Sequence, residues 1–91
     1  MEIEAARWLM YRAAWLYDQG TRRLKEAAMA KLFASEVAQR VTAEAMQIHG
    51  GVALMIESPV HRFFRDSRRG TVTEGTSEIQ QIVISRAIGL R

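Results

Sequence analysis

The longest unbroken helical pattern in this 91-residue chain lies between Gly20 and the pair Gly50-Gly51. From Lys25 to Ile48, apolar residues recur every three or four positions, which predicts an amphipathic helix over that range. We expect His49-Gly50-Gly51 to end this helix, since glycine readily adopts the left-handed conformation that closes helices. The predicted buried stripe consists of Ala28, Met29, Leu32, Phe33, Val37, Val41, Ala45 and Ile48. The charged residues predicted to point elsewhere are Lys31, Glu36, Arg40 and Glu44.

Two further helices are predicted on either side of this long one. The first runs from Ile3 to about Gln19 and is followed by Gly20, the residue type most common at the C′ position. The last runs from Ser77 to about Leu90, with Ser77 and Gln80 in the spacing of a capping box. Residues 52–76, between the long helix and the last one, are predicted to be irregular, apart from one short turn of helix over 60–66 that Pro59 could start.

These elements predict an all-α fold, an antiparallel helical bundle formed by a single domain over residues 1–91. Trp8, Tyr11 and Trp15 follow one another at helical spacing and form an aromatic stripe on the first helix. Such a stripe is typical of a core or an interface. Three helices cannot cover this much apolar surface, so we expect the bundle to be incomplete. Another copy of the chain or a missing segment could complete it, and of these we predict self-association.

Composition limits the cellular compartment and the kinds of functional site that we expect. The chain has no cysteine, so it has neither a disulfide framework nor a thiolate metal site. His49 and His61 lie on different segments without a second ligand at metal spacing, so no metal site is predicted. No apolar run reaches the length of a membrane span, and the first residues lack the order of a signal peptide. We therefore expect a soluble, cytoplasmic protein.

A basic cluster in the sequence FFRDSRRG raises the alternative of a nucleic-acid site. Its arginines are Arg62, Arg65, Arg68 and Arg69. Asp66 lies among them, the net charge is only +3, and no recognition motif accompanies them. A solvated face or intramolecular ion pairs is the favoured interpretation, and no nucleic-acid partner is predicted.

Two short segments contain residue types that can act in catalysis or bind a ligand. Glu74 stands alone in a neutral stretch, from Thr71 to Gly75, directly before the last helix. It is either a helix-terminus acid or a general base held on a loop, and the local sequence places no cation beside it. The second segment is Gln47-Ile48-His49-Gly50-Gly51, whose glycines would let a pyrophosphate approach the backbone. By itself, a glycine pair after a helix is more often a helix ending than a cofactor contact.

Three blocks together resemble the C-terminal helical domain of the acyl-CoA dehydrogenases. They are AMQIHGG at 45–51, SPVHRFFRDSR at 58–68 and EGTSEIQQIVISR at 74–86, in the order and with the spacing of that family. The resemblance covers residues 5–91 and only the last part of the family's fold. The family's N-terminal helical domain, its middle β-domain and the first long helix of its C-terminal bundle have no counterpart in this sequence.

The resemblance implies a reaction and a base for it. Family members are flavoproteins that remove two hydrogens from the α and β carbons of an acyl-CoA thioester. A glutamate takes the α-proton while hydride leaves the β-carbon for the flavin, and many members have that glutamate in the sequence EGT. This similarity makes Glu74 the catalytic base, with Gly75 against the thioester of the substrate and Arg86 near the substrate site. Desolvation of the carboxylate would make it a stronger base.

The resemblance also implies a cofactor and partners. FAD lies at a subunit interface in the family, and the Q-x-x-G-G block makes Gln47, Gly50 and Gly51 cofactor contacts. Thr76 and Glu78 match positions that approach the flavin nucleotide of their own subunit. The implied partners are an acyl-CoA substrate, an electron-transferring flavoprotein and further copies of the chain in a dimer or tetramer.

The sequence departs from the family's pattern at several positions, and two alternatives to a dehydrogenase also remain open. Thr73 stands where many members have tyrosine, and Glu78 adds a negative charge near a diphosphate. One alternative is a non-enzymatic helical module that only oligomerises or docks. The other is an acyl-CoA oxidase, which has the same scaffold but admits oxygen to the reduced flavin. We expect the 91-residue chain alone to be inactive, because the flavin ring and the walls around the acyl chain would come from domains that this sequence does not contain.

Overall fold

The structure, a computed structural model, describes residues 1–21 and 23–90, and this part of the chain is helical and contains no strand. It has four α-helices, joined in two places by 3₁₀ turns. The helices are α1 (Glu2–Asp18), α2 (Leu24–His49), α3 (Pro59–Ser67) and α4 (Ser77–Ala87), and the 3₁₀ turns are Gly50–Leu54 and Arg68–Thr71. The predicted all-α class is confirmed.

Helix α1 ends as its sequence predicts. The N–H of Gly20 donates to the carbonyl of Tyr17 at 2.9 Å, and the N–H of Thr21 donates to the carbonyl of Leu16 at 3.1 Å. Gly20 has a φ of 74°, so these are the two hydrogen bonds of a Schellman motif. The chain then reverses into α2, and Arg40 of α2 forms an ion pair at 2.8 Å with Glu2 at the far end of α1. The two helices are therefore antiparallel.

Helix α2 is the central element, since α1, α3 and α4 all pack against it. Its most buried apolar residues are Ala28, Ala30 and Val37. Small side chains let the neighbouring helices approach closely, as the alanine-rich sequence predicts. Two members of the predicted stripe lie outside the core, because Met29 is 37% exposed and Ile48 is 84% exposed.

A large apolar surface remains uncovered. The described chain exposes 7061 Å², against about 5,400 Å² for a compact monomer of 10.3 kDa. Trp8, Tyr11 and Trp15 are each more than half exposed. The rings of Trp8 and Tyr11 meet edge to face at 6.1 Å, so the aromatic stripe forms on one face of α1 without a cover. Completion by self-association remains a prediction.

The segment before α4 is more helical than its sequence predicts. Pro59 occupies the first turn of α3, as expected, because its fixed φ suits that position. The helix then runs to Ser67, one residue beyond the predicted range of 60–66, and a 3₁₀ turn extends the coil to Thr71. No breaker stands between Pro59 and Gly70. Within residues 1–21 and 23–90, no helix combines the length and the apolar character that crossing a bilayer would require.

Candidate active site

Glu74 has an unusual backbone conformation. Its φ is 59°, and no other non-glycine residue among those described has a positive φ. For an L-residue this conformation costs about 1–2 kcal/mol. Such outliers persist where the surroundings impose them, and they are concentrated at functional sites. The side chain of Glu74 is exposed, so burial does not explain the strain.

Thr76, not Ser77, caps the helix that follows. The backbone of Thr76 is extended, and its hydroxyl accepts the N–H of Ile79 at 3.4 Å. Ser77 is the first helical residue, so the predicted capping box of Ser77 and Gln80 is wrong. The extended backbone that an N-cap requires occurs one residue earlier than we predicted. Glu74 is therefore not needed to cap the N-terminus of α4.

The peptide after Glu74 is held from two sides. Gln80 of α4 donates from Nε2 to the carbonyl of Glu74 at 3.4 Å and to that of Gly75 at 3.3 Å. Lys31 of α2 donates from Nζ to the same carbonyl of Gly75. Gly75 has a φ of 91°, and a Cβ there would lie 2.5 Å from the amide nitrogen of Gln80. Only glycine fits this position without moving Gln80.

Residues 68–76, which we call the acid loop, are also bound to the middle of α2. Gln39 donates from Nε2 to the hydroxyl of Thr71 at 2.6 Å and accepts from the guanidinium of Arg68 at 2.7 Å. Within the loop, the carbonyl of Arg69 accepts the hydroxyl of Thr73 at 3.1 Å. These bonds fix the path of the chain up to Glu74.

The residues of α2 that contact this region form one line along the helix, the loop-facing stripe: Lys31, Ser35, Gln39 and Thr42. A Cβ on Gly70 would lie 3.1 Å from the Cβ of Ser35, so the loop passes close to the helix there. The hydroxyls of Thr42 and Ser67 are 3.0 Å apart. We did not predict this stripe from the sequence, and we predicted that Lys31 points elsewhere. The missed signal is a set of polar residues at i, i+4, i+8 and i+11, which share one helix face.

Glu74 lines a cleft of about 420 Å³ between α2 and the acid loop. The other charged residues on its walls are Lys31, Asp66 and Arg69. The sequence places no cation beside Glu74, but the fold brings two into its cleft, so that expectation is wrong. None of the ion pairs found among residues 1–21 and 23–90 includes Glu74.

Gln47, Gly50 and Gly51 lie together, at a separate hollow of about 470 Å³ beyond the end of α2. Gly50 has a φ of 64° and closes α2 there, as predicted. No atom lies within 4 Å of the place where a Cβ would stand on either glycine. The backbone is therefore bare on this side, and a flat polar group has room to approach it.

Thr76 and Glu78 line a third hollow, of about 350 Å³, at the start of α4. Hydrogen bonds from its own backbone N–H and from the Thr76 hydroxyl hold the pKa of Glu78 below its ordinary value. The carboxylate of Glu78 therefore stays ionised. The predicted cofactor contacts thus fall into two groups on different parts of the surface.

Arg86 lies in the last turn of α4, where it is exposed and outside these three hollows. The structure does not bring it to Glu74. The described residues contain no group of three histidine, aspartate or glutamate side chains that could hold a metal ion.

Comparison with known proteins gives the same family that the three sequence blocks resemble. The family model described as "Acyl-CoA dehydrogenase, C-terminal domain" matches residues 1–89. Cyclohexane-1-carbonyl-CoA dehydrogenase of Geobacter metallireducens is 52% identical over 87 residues, which cover 96% of this chain and 23% of that protein. The caffeyl-CoA reductase-Etf complex subunit CarC of Acetobacterium woodii is 49% identical over 84 residues, 92% of this chain and 22% of that protein.

Solved structures agree. Butyryl-CoA dehydrogenase from Megasphaera elsdenii superposes with a TM-score of 0.94 at 46% identity, covering 97% of this chain and 23% of the other. An FAD complex of PigA superposes with a TM-score of 0.94 at 36% identity, covering 99% of this chain and 24% of the other. The chain thus spans about a quarter of the length of the proteins that it matches. It belongs to the acyl-CoA dehydrogenase family and corresponds to that family's C-terminal domain.

Proposed function

We propose that this chain acts as the C-terminal domain of an FAD-dependent acyl-CoA dehydrogenase and that Glu74 is its catalytic base. The substrate is an acyl-CoA thioester. The carboxylate of Glu74 takes the proton from the α-carbon, and the electron pair of that C–H bond becomes part of the new α,β double bond. Gly75, which adjoins the acid, lies against the thioester.

The observation that carries this proposal is the conformation of Glu74. An exposed acid at a φ of 59° is strained, and a helix cap does not account for it because Thr76 fills that role. The strain directs the carboxylate into a cleft, where hydrogen bonds from α2 and α4 hold the adjoining peptide. Rigid placement of this kind is what a general base requires, since proton transfer depends first on geometry.

The chain's own residues fit FAD at two places. The open backbone at Gly50 and Gly51, with the amide of Gln47 in the same hollow, suits a polar nucleotide group. At α4, Thr76 lies at a helix N-terminus, which attracts anions. Glu78 stays ionised, so its carboxylate suits a hydroxyl of the cofactor and not the diphosphate. When bound, FAD supplies the acceptor for the hydride that leaves the β-carbon.

The electron acceptor that we propose is an electron-transferring flavoprotein. One relative is named as a subunit of a reductase-Etf complex, which supports a partner of this class. We place Arg86 near the substrate site on the family's pattern alone, since it is not among the residues that line the cleft. An acyl-CoA oxidase would use molecular oxygen as acceptor instead.

A second proposal concerns association. We propose that the chain forms a dimer or tetramer that covers the aromatic stripe of α1, because Trp8, Tyr11 and Trp15 are all more than half exposed. Apolar patches of this kind mark interaction sites. Light scattering on the purified chain at micromolar concentration should show a mass above 10.3 kDa, and replacing Trp8 and Trp15 by serine should reduce it. A stable monomer would contradict this proposal.

A chimera tests the catalytic proposal. Residues 1–89 would replace the matching C-terminal part of the Geobacter metallireducens enzyme, which is 52% identical to this chain. The assay is dehydrogenation of cyclohexane-1-carbonyl-CoA with an artificial electron acceptor, alongside the flavin content of the purified protein. We expect turnover, its loss in Glu74→Gln and its retention in Glu57→Gln, an exposed glutamate outside the cleft.

The outcomes separate the alternatives. Full turnover in Glu74→Gln would refute Glu74 as the base. A chimera that assembles without flavin, or that binds flavin but has no turnover, would favour the non-enzymatic association module.

A further inference from the structure

We propose that Lys31 is the positioning residue for the catalytic acid and that it acts through the carbonyl oxygen of Gly75. This inference rests on the proposed function, because it assigns Lys31 a part in placing Glu74. Lys31 would not touch the substrate. It would fix the peptide that sets the direction of the Glu74 carboxylate.

The first step is the set of contacts at the Gly75 carbonyl. Lys31 Nζ donates to this oxygen, and Gln80 Nε2 donates to it at 3.3 Å. A carbonyl oxygen has two lone pairs, so both are occupied. The peptide that follows Glu74 is thus clamped between α2 and α4, on the C-terminal side of the one strained non-glycine residue in the described chain.

The second step is that the two donors are not equivalent. Gln80 belongs to α4, which continues directly from Glu74 and would move with it. Lys31 lies 44 residues away in the sequence. Among the hydrogen bonds of residues 1–21 and 23–90, no other side chain of α2 reaches residues 74–76. Lys31 is therefore the tie between the acid-bearing peptide and the central helix.

The cleft around Glu74 is lined by charged residues of both signs. The cleft holds the cations Lys31 and Arg69 and the anions Asp66 and Glu74. The ion pairs of the described residues do not include Lys31, whose ammonium is directed to a backbone carbonyl instead. A lysine that served only to balance Glu74 would be expected to pair with its carboxylate. The geometry thus favours positioning over simple charge compensation.

The first test uses the 91-residue chain itself. NMR coupling constants that report φ would be measured for Glu74 in the unsubstituted chain, in Lys31→Met and in Lys31→Arg. We expect the positive φ to be lost in Lys31→Met and kept in Lys31→Arg, which can still donate to the carbonyl. Lys25→Met is the matched control, since Lys25 lies on the same helix and pairs with Glu26 at 3.6 Å. An unchanged φ of Glu74 in Lys31→Met would overturn the inference.

The second test uses the chimera described above. We expect Lys31→Met to lower kcat by about 10- to 100-fold, the effect of misplacing a reacting group by around an ångström. The KM for the acyl-CoA and the flavin content should not change, and Lys31→Arg should restore part of kcat. Lys25→Met should leave all three quantities unchanged.

The results distinguish the two levels of inference. An unchanged kcat in Lys31→Met, together with inactive Glu74→Gln, would refute the role of Lys31 and leave the proposed function standing. Full activity in Glu74→Gln would refute the proposed function whatever Lys31→Met does. Parallel losses of kcat and flavin content in Lys31→Met would show a general structural role and would also overturn positioning.

Discussion

The strain at Glu74 predicts that a substitution normally expected to destabilise will stabilise the chain. We compare Glu74→Gly with Glu74→Ala, because neither has the carboxylate and the two differ only in the Cβ. At most exposed positions outside helices, alanine is the more stabilising residue, since glycine has more conformational freedom to lose on folding. At position 74 the φ of 59° reverses this order.

The expected size follows from two opposing terms. A left-handed conformation costs an L-residue about 1–2 kcal/mol, which glycine does not incur. Glycine lowers the free energy of unfolding by about 0.4–1 kcal/mol relative to alanine, because it has more conformational entropy in the unfolded chain. The difference favours Glu74→Gly over Glu74→Ala by about 1 kcal/mol in the free energy of unfolding. The side chain is exposed, so no packing is lost in either variant.

Urea unfolding followed by circular dichroism measures this difference, provided that the m-value stays the same in both variants. Glu57 supplies the control, since it is exposed, lies outside the helices and is not among the residues with a positive φ. There we expect Glu57→Ala to be more stable than Glu57→Gly. If the same order held at position 74, the left-handed conformation of Glu74 would be refuted, and with it the strain on which the site assignment depends.

Two further substitutions probe the neighbourhood of the acid. Gly75→Ala should destabilise by more than Gly20→Ala in urea unfolding, because both glycines have a positive φ but only at Gly75 would the new Cβ displace the amide of Gln80; equal losses would contradict the clamp. Glu78→Gln should destabilise at neutral pH, because the native pKa of Glu78 lies below the ordinary 4.5. That difference from the unsubstituted chain should be present above pH 4.5 and vanish as the pH falls through the native pKa; a difference that persists in acid would show another cause.

Local sequence predicted the helices and their ends well. Gly20 and Gly50 close α1 and α2 as expected, because a C-terminal glycine acts on hydrogen bonds within a few residues of itself. Gln47, Gly50 and Gly51 meet at one hollow for the same reason, since they are nearly adjacent in the chain. Thr76 and Ser77 show the limit of local reasoning. Both are good capping residues, and only the backbone conformation decides between them.

The surroundings of the acid could not be predicted in this way. Lys31 reaches Gly75 across 44 residues, and the polar positions of α2 read as a solvated face when the loop that contacts them is not known. The cleft with its two cations could not be predicted for the same reason, because Arg69 and Lys31 come together only when the acid loop packs on α2. Glutamate has no local preference for a left-handed conformation, so tertiary contacts impose the strain at Glu74.

The loop-facing stripe has a consequence for how this segment can change in length. Its contacts depend on helical phase, since one inserted residue turns everything beyond it by about 100°. An insertion or deletion of one residue between Lys31 and Gln39 would turn the two parts of α2 that hold the ends of the acid loop about 100° away from each other. This part of the helix is therefore fixed in length by the loop that it holds, while the exposed turn around Glu57 is free of that constraint.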